Sequence, residues 1–388
     1  MIHNNDLTTR YRHTFANAIP TFAVRSPGRI NLIGEHTDYN DGFVLPIAMT
    51  QALLVLAGPA DDEHIEVHSS AFGETVRFPA REPGFPGQPN WANYVRGVAT
   101  LLVKQGCQLR SGRLWVDSEV PLGGGVSSSA ALEIGVALAL LALAGEHMEP
   151  ISLALLAQQA EHEYANSPCG IMDQFICVLG QANHALLLDC RSQTFEQIPL
   201  LLDDATMIVM NTQVKHAIGS SQYPIRQQQC REALARLQSF YPQVTALRDV
   251  SFTMLDAHRH DMNPTTFKRA RHVVTEIERT LQAAQALRQN ELETFGQLMY
   301  DSHQSLKNDY GVSCPELDHL VEIAKGIEGV YGARMTGGGF GGCAIALIRR
   351  EAENALRSAI AQQYDTRFDK PAIVYTTGAS DGATVQAL

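Results

Sequence analysis

The pattern of apolar and polar residues predicts a chain of mixed strands and helices. Residues 112–120 alternate between the two types, with Leu114, Val116 and Val120 on one side, as in a half-buried strand. A glycine-rich turn follows, and residues 130–144 after it are apolar on nearly every face except at Glu133. This segment therefore predicts a strand, a turn and a buried central helix in direct succession.

Similar patterns extend over the rest of the chain. Further helices are predicted at residues 152–164, 225–240, 264–288, 292–307 and 315–327, with a short apolar helix around Asp173. Strands are predicted at residues 185–190, 205–211, 333–335, 343–348 and 372–375. Because helices and strands are both abundant in the second half, we expect an α+β architecture. The polar stretch 191–197 is the best candidate for a boundary between a first domain, residues 1–195, and a second, residues 196–388.

Composition narrows the class of protein. A chain of 388 residues has room for two domains, and its 45% hydrophobic and 18% charged residues exclude wholesale disorder. The 41 acidic and 30 basic residues give a net charge of −11, the wrong sign for binding a nucleic-acid backbone. The N-terminus lacks a secretory signal pattern, and the longest apolar run is about half a membrane span. We therefore expect a cytoplasmic protein with no nucleic-acid or membrane partner.

Seven cysteines are scattered along the chain without a C-x-x-C pair. This pattern argues against a disulfide framework and against a zinc site. We expect reduced thiols, and a fold that needs neither a metal nor a disulfide for stability.

The glycine-rich turn at residues 121–129, Pro-Leu-Gly-Gly-Gly-Val-Ser-Ser-Ser, has the composition of a phosphate-binding loop. Glycines let the backbone approach an anion, hydroxyls supply donors or a Mg²⁺ ligand, and the following helix directs its N-terminal dipole at the bound charge. The Walker pattern and the protein-kinase motifs H-R-D and D-F-G are absent. The alternative is a glycine turn that ends in a serine N-cap. The candidate phosphate ligands are Gly123, Gly124, Gly125, Val126, Ser127, Ser128 and Ser129.

A second polar cluster, Glu-His-Thr-Asp-Tyr-Asn at residues 35–40, lies between two glycines. Carboxylates accept hydrogen bonds and histidine donates or accepts them, so such a cluster can bind the several hydroxyls of a sugar. It is weaker as a metal site, because it holds a single histidine and hard oxygen donors. The alternative is a turn stabilised by Asx hydrogen bonds.

A third motif, Arg-Met-Thr-Gly-Gly-Gly-Phe-Gly-Gly-Cys at residues 334–343, matches the G-x-G-x-x-G dinucleotide fingerprint. The fingerprint requires a following helix, whereas residues 343–348 predict a strand. The glycines therefore join two strands. We interpret the two glycine-rich loops as two walls of one phosphate-containing cleft.

Asp173 lies among apolar residues, in Gly-Ile-Met-Asp-Gln-Phe-Ile at residues 170–176. An isolated carboxylate in such surroundings needs a partner to stay ionised. It is either a functional acid or a first-turn aspartate that backbone amides satisfy.

Together these segments resemble the galactokinase family of the GHMP small-molecule kinases. Residues 28–39 are similar to the family signature, and residues 121–130 and 336–342 are similar to the second and third GHMP motifs. Further similarity lies at residues 91–97, 169–174, 215–216 and 221–223. In order and spacing, the similar segments extend over most of the chain.

The resemblance implies a two-domain α+β GHMP kinase fold with the active site in the interdomain cleft. It also implies transfer of the γ-phosphoryl group of ATP to the C1 hydroxyl of α-D-galactose, with Mg²⁺. Asp173 then corresponds to the proton acceptor and Arg29 to its charged partner, and Ser129 and Glu161 correspond to Mg²⁺ ligands. The implied ATP ligands are residues 123–129, and the implied sugar ligands are Glu35, His36, Thr37, Asp38, Gly170, Asp173 and Tyr223.

Two alternatives stay open at this point. A GHMP kinase for N-acetylgalactosamine or arabinose would differ by one hydroxyl or acetamido contact, which the shape of the pocket decides. A galactose and ATP sensor without catalysis is disfavoured, because Arg29, Ser129 and Asp173 are all present.

Overall fold

The computed structural model describes residues 5–215 and 218–388 of the chain. Its strands are β1 (Phe22–Asn31), β2 (Phe43–Val44), β3 (Pro46–Pro59), β4 (His64–Ser69), β5 (Glu74–Pro79), β6 (Gly112–Ser118), β7 (His184–Asp189), β8 (Phe195–Pro199), β9 (Ala205–Lys215), β10 (Val330–Thr336), β11 (Gly341–Arg349), β12 (Ile373–Thr377) and β13 (Thr384–Ala387). Its helices are α1 (Asn5–Thr14), α2 (Ala92–Lys104), α3 (Ser128–Ala144), α4 (Pro150–Tyr164), α5 (Met172–Leu179), α6 (Ile218–Gln238), α7 (Phe252–Ala257), α8 (Pro264–Arg288), α9 (Leu292–Ser305), α10 (Pro315–Lys325) and α11 (Glu353–Gln363).

These strands form three sheets. The largest has the order β13-β1-β3-β6-β4-β5, and its pairs are antiparallel except for β4 with β6. The second sheet has the order β10-β11-β9-β12, and the third has the order β2-β7-β8, both with antiparallel pairs. The sequence of the first half therefore supplies most of the largest sheet, and that of the second half supplies the four-stranded sheet.

Each half has its own apolar core. In the first half, α2, α3 and α4 pack against the largest sheet. In the second half, α6, α8, α10 and α11 pack against the four-stranded sheet. A third cluster joins the halves, because Ile30 of β1 and Ile47 of β3 lie in it together with Val209 of β9 and Ile345 of β11. This is the two-domain α+β architecture that the sequence predicts.

Helix α3 is the buried central helix expected from its sequence. It packs against β1, β3, α2 and α4, and Glu133 in its middle is fully buried. Gly135 lets the helix approach the sheet closely, since a Cβ there would lie 3.1 Å from the Leu53 Cδ2 and 3.2 Å from the Val55 Cγ2. Its first residue directly follows the glycine-rich turn, so the fold places the N-terminal end of a rigid helix beside that turn.

Several predicted elements are confirmed in kind but shifted in their limits. Helix α6 begins at Ile218 rather than at residue 225, with Pro224 inside it. Helix α9 ends at Ser305 and continues as a π-helical turn, Leu306–Tyr310. Strands β1 and β3 were not predicted, because both are buried along most of their length and so lack the alternation of a half-buried strand.

Among the described helices, none is both long enough and apolar enough to cross a membrane.

The division into residues 1–195 and 196–388 stays a prediction. The stretch 191–197 forms the turn between β7 and β8 and the first residues of β8. Strand β13, at the C-terminus, pairs with β1 of the first half, from Phe22 with Ala387 to Arg25 with Thr384. The last strand of the chain therefore belongs to the sheet of the first half, although the predicted division assigns it to the second domain. Sequence patterns did not indicate this, because a pairing between such distant segments leaves no local pattern.

Candidate active site

A cavity of about 390 Å³ opens between the two halves of the chain. The first half contributes Arg29 of β1, residues of the turn after β1, and residues from the end of α4 to the first turn of α5. The second half contributes the start of α6 and the loop between β10 and β11. Eight of the sequence-predicted site residues line this cavity, namely Arg29, Glu35, His36, Asp38, Glu161, Gly170, Asp173 and Tyr223.

Arg29 reaches the cavity through an irregularity in β1. The pairing register of β1 with β3 shifts between Pro27 and Arg29, and a bulge of this kind redirects a side chain. Gly28 permits a close approach there, because a Cβ would lie 2.9 Å from the Val126 carbonyl oxygen. The Arg29 N–H donates to that same oxygen at 3.1 Å, and its Nη1 donates to the Gly125 carbonyl at 2.5 Å. Arg29 thereby ties β1 to the glycine-rich turn.

Asp173, in the first turn of α5, forms a two-point salt bridge with Arg29. The Arg29 Nε donates to Oδ1 at 2.9 Å, and Nη2 donates to Oδ2 at 3.0 Å. The Ser127 hydroxyl donates to Oδ2 at 2.5 Å. Burial lowers the pKa of Arg29, but the Asp173 carboxylate, together with the charge of Glu35 and Cys177, offsets it and the net pKa is raised. These partners are side chains from distant segments, which favours a functional acid over a capping aspartate.

Residues 34–42, called the polar turn below, are held by their own polar groups. The Thr37 hydroxyl donates to the carbonyls of Gly34 at 2.8 Å and Phe43 at 2.7 Å. The Asn40 amide donates to the His36 carbonyl at 2.9 Å. Thr37 is fully buried and is not among the lining residues of the cavity. The structure therefore does not bring Thr37 to the cavity with its predicted neighbours, and its hydroxyl stabilises the turn.

Glu35 and His36 extend from the polar turn, and buried partners orient both. The Glu35 carboxylate accepts from the Gly337 N–H at 2.8 Å and lies 2.5 Å from the Arg334 Nη2. Burial raises the pKa of Glu35 despite this arginine. The His36 Nδ1 lies 2.7 Å from the Tyr39 hydroxyl. Burial lowers the pKa of His36 to about 3, so its ring is neutral at pH 7.

Asp38 and Gly170 meet from two distant segments. A Cβ on Gly170 would lie 1.6 Å from the Asp38 Oδ2, so only glycine fits. Burial, followed by the negative charge of Asp173, raises the pKa of Asp38 to about 7. Tyr223 of α6 adjoins them from the second half, with its ring centroid 5.7 Å from that of His36. Acceptors, a neutral imidazole and an aromatic ring thus surround one space, as a ligand with several hydroxyls requires.

The first glycine loop (residues 121–129) touches the second glycine loop (residues 336–342). A Cβ on Gly337 would lie 2.7 Å from the Gly125 carbonyl oxygen, and one on Gly342 would lie 2.9 Å from the Gly124 carbonyl oxygen. The second loop joins β10 to β11 in an antiparallel pair, which confirms that it is not a dinucleotide fingerprint. The loops are adjacent, as their sequences predict, whereas the phosphate between them stays a prediction.

The residues of the first glycine loop differ in their surroundings. Gly123 and Gly125 are exposed, Gly124 is buried, and Ser128 is partly exposed. The Val126 side chain packs in the core that joins the two halves, away from the cavity. Its contact with Arg29 is made by its backbone carbonyl, which accepts from the Arg29 N–H. Ser127 is left-handed (φ 61°) before α3 and makes no side-chain cap bond. The serine-cap alternative therefore does not hold, because the Ser127 hydroxyl is directed to Asp173.

Ser129 of α3 and Glu161 of α4 come together beside the cavity. The Ser129 hydroxyl hydrogen-bonds the Glu161 carboxylate. Burial and then the charge of Asp173 raise the pKa of Glu161. Hydroxyl and carboxylate oxygens are donors of the kind that Mg²⁺ prefers. In the described part of the chain, no group of three or more His, Cys, Asp or Glu residues could hold a metal, so the pair could supply only part of a coordination shell.

Sequence reasoning missed two buried residues that orient site carboxylates. Arg334 is fully buried against Glu35, and Gln174 is fully buried against Glu161. Both belong to recognised motifs, but each partner lies in a different element, which no local pattern indicates. The remaining lining residues are Asn166, Ser167, Pro168, Cys169, Met172, Pro224, Gly337 and Gly338. His216, which the resemblance also covered, lies outside the described residues.

Three family models match the chain. They are the galactokinase galactose-binding signature at residues 9–59, the GHMP kinases N terminal domain at residues 93–181 and the GHMP kinases C terminal model at residues 283–366. The galactokinase of Roseiflexus sp. (strain RS-1) is 42% identical over 382 residues, which cover 98% of this chain and 97% of that protein. The chain belongs to the galactokinase family.

Two further relatives agree with this assignment. The galactokinase of Homo sapiens is 43% identical over 385 residues, covering 97% of this chain and 95% of that protein. The crystal structure of Lactococcus lactis galactokinase complexed with galactose is 37% identical, with a TM-score of 0.93 and 98% coverage of each chain. The family resemblance and the GHMP kinase fold expected from the sequence are therefore confirmed.

Proposed function

We propose that the protein transfers the γ-phosphoryl group of ATP to the C1 hydroxyl of α-D-galactose, giving galactose 1-phosphate and ADP. The observation that carries this proposal is the Arg29–Asp173 salt bridge in the wall of the cavity, where the first glycine loop and α5 meet. The galactose complex of the L. lactis relative supports the choice of sugar.

Asp173 is the proton acceptor in this proposal. A sugar hydroxyl is almost never ionised at pH 7, so a carboxylate that accepts its proton assists attack on phosphorus. Arg29 holds both carboxylate oxygens in a fixed direction. Its guanidinium also offsets the negative charge that develops on the transferred phosphoryl group.

The sugar is held by Glu35, His36, Asp38, Gly170 and Tyr223, with Asp173 at the reacting hydroxyl. The carboxylates accept hydrogen bonds from sugar hydroxyls. The neutral His36 ring donates or accepts one further hydrogen bond. Gly170 leaves room for the Asp38 carboxylate. Thr37 contributes indirectly, because its hydroxyl keeps the polar turn folded.

ATP binds along residues 123–129 in this proposal. The exposed Gly123 and Gly125 allow phosphate oxygens to approach the backbone, and the N-terminus of α3 favours negative charge. A Walker lysine is absent from the sequence, so backbone N–H groups and the helix carry more of the phosphate binding.

Mg²⁺ fits Ser129 and Glu161, since their oxygens already meet and Glu161 is a buried acid beside the further acid Asp173. When bound, the ion neutralises charge on the β- and γ-phosphate oxygens. We also assign the protein to the cytoplasm, because its seven free cysteines suit a reducing compartment.

The proposal is tested by measuring ADP release with galactose, glucose, talose, arabinose and N-acetylgalactosamine, and by ³¹P NMR of the product. We expect the highest kcat/KM with galactose and a phosphorus signal from the 1-phosphate. A higher kcat/KM with arabinose or N-acetylgalactosamine would mean that this sugar, rather than galactose, is the substrate. A 6-phosphate product, or galactose binding without turnover, would refute the reaction.

The metal assignment is tested with Ser129→Ala and Glu161→Ala. Both variants should need more Mg²⁺ and use ATP less well, while galactose affinity by calorimetry changes little. Ser152→Ala, at an exposed position of α4, is the control and should resemble the unchanged protein. Lost galactose affinity with a normal Mg²⁺ response would contradict the assignment.

A further inference from the structure

Gln174 is a buried amide beside the site that the proposed reaction does not use. It follows Asp173 on α5 and is fully buried. Its Nε2 donates to the Glu161 Oε2 at 2.8 Å and to the Glu133 Oε2 at 3.1 Å. A single amide group therefore bridges two buried carboxylates from α3 and α4.

The orientation of this amide follows from charge. Amide nitrogen donates and amide oxygen accepts, so a flipped amide would set its oxygen against the Glu161 carboxylate that it now donates to. The Gln174 Oε1 and the Glu133 Oε1 are both buried without a hydrogen-bond partner among the described residues. A buried polar atom without a hydrogen-bond partner lowers the stability of the fold. Leaving these two oxygen atoms unpaired is therefore a cost of keeping the Gln174 amide between the two acidic side chains.

The bridge connects three helices that carry site residues. Helix α3 provides Ser129 and, one turn later, Glu133, whereas α4 provides Glu161. Helix α5 provides the adjacent Asp173 and Gln174. The side chain that holds Glu161 is thus the immediate neighbour of the residue that pairs with Arg29, which fixes the spacing between the two functional carboxylates.

We propose that Gln174 is a positioning residue whose amide, anchored on Glu133, holds the Glu161 carboxylate in the orientation that receives the divalent cation. This inference rests on the proposed function, since it takes Glu161 as the ligand of that cation. The cation is a hard divalent ion such as Mg²⁺ or Mn²⁺, as the hydroxyl and carboxylate donors require. Partners that orient a metal ligand typically change metal affinity or activity by about 10- to 100-fold when removed.

The experiment compares Gln174→Met with the unchanged protein by titrating Mn²⁺ in the presence of a non-hydrolysable ATP analogue, with bound Mn²⁺ measured by electron paramagnetic resonance. Methionine has a similar length but no donor, so Mn²⁺ affinity should fall by about tenfold or more. Galactose affinity by calorimetry should change little. Gln174→Asn, which is too short to span both carboxylates, should show the same loss and serves if the methionine variant does not fold.

Gln197→Met is the matched control. Gln197 lies in β8, and its Nε2 donates to the Leu179 carbonyl at the far end of α5 at 2.8 Å, so the change removes a glutamine donor to the same helix at a place outside the cavity. It should keep the Mn²⁺ affinity of the unchanged protein. The positioning role would be overturned if Glu161→Ala lost Mn²⁺ affinity but the Gln174 variants kept it. This holds even if the Gln174 variants were less stable or less active. Normal Mn²⁺ affinity in Glu161→Ala would instead overturn the metal assignment and this inference with it.

Discussion

The polar turn and the first glycine loop both adjoin the Arg29–Asp173 pair, yet they are built differently. In the polar turn, Glu35, His36 and Thr37 are buried. In the first glycine loop, Leu122, Gly123 and Gly125 are exposed. The polar turn is fixed by the Thr37 hydroxyl, which bonds Gly34 within the turn and Phe43 at the start of β2. The loop is attached mainly at its C-terminal end, through Arg29 and Asp173.

This difference matches the two ligands. A neutral sugar is recognised by hydrogen bonds whose directions must be set in advance, and ordering a loose site on binding would reduce affinity. A phosphate chain brings its own charge and attracts backbone N–H groups and a helix N-terminus over a wider range of positions. A rigid sugar side and an accessible phosphate side are therefore both consistent with one phosphoryl-transfer site.

The largest expected effect is at the pair that both regions share. Asp173→Asn keeps the shape of the side chain but cannot accept the proton, so turnover should fall by about 10²- to 10⁴-fold. Galactose affinity should change much less, because the amide still hydrogen-bonds a hydroxyl. Stopped-flow ADP release and calorimetry measure the two quantities. Near-normal turnover, or an unfolded variant by circular dichroism, would contradict the catalytic role.

Gly170→Ala should damage the sugar side alone. The added Cβ would overlap the Asp38 Oδ2, so the carboxylate must move away from its position in the cavity. Loss of a hydrogen bond from a charged group corresponds to about a 10- to 100-fold rise in the KM for galactose. The KM for ATP should stay nearly constant. Gly124→Ala is the matched change in the first glycine loop, where a Cβ would lie 3.3 Å from the Asn211 Nδ2 and no closer to other atoms. Equal effects of both variants on galactose would erase the distinction between the two regions.

Thr37→Val tests how far the polar turn depends on its internal hydrogen bonds. The variant leaves two carbonyls without their donor, which should lower the free energy of unfolding by about 1–3 kcal/mol. Leu122→Ala in the first glycine loop removes a side chain that is 46% exposed, and its effect should stay within about 0.5 kcal/mol. Urea unfolding of both variants provides the comparison. A larger loss for Leu122→Ala would show that the loop, rather than the turn, is the stabilised region.

A dependence of stability on pH is also expected. The pKa of Asp38 is raised from 3.8 to about 7, so the folded state binds more protons than the unfolded chain between these values and stability falls as the pH rises through them. Asp38→Asn removes this penalty, so the variant should gain stability at about pH 8 and little at about pH 4. Thermal unfolding at the two pH values measures the difference. Equal stability of variant and unchanged protein at the higher pH would mean that Asp38 is solvated like an ordinary aspartate.

Local patterns predicted much of the fold and many of the candidate site residues. Helix α3 followed from an uninterrupted apolar segment, and the β10–β11 connection followed from a strand after glycines. Strand β1 escaped prediction because both of its faces are covered, which removes the alternation of a half-buried strand. Arg334 escaped because its partner Glu35 lies in the other half of the chain, and Gln174 escaped because no local pattern indicates that its amide meets Glu161 of the preceding helix.

The sequence by itself determined the chemical groups of the site and the local elements that carry them, since glycine content, apolar periodicity and acidic residues act over short stretches of chain. It also determined the family, because the motifs occur in a fixed order. The tertiary structure showed which groups meet. Asp173 pairs with Arg29, as the resemblance implied, rather than capping α5, and only the structure decided that Thr37 stabilises the polar turn without lining the cavity and that Ser127 donates to a carboxylate. These choices depend on burial and on contacts between distant segments, which arise only when both halves pack around the cavity.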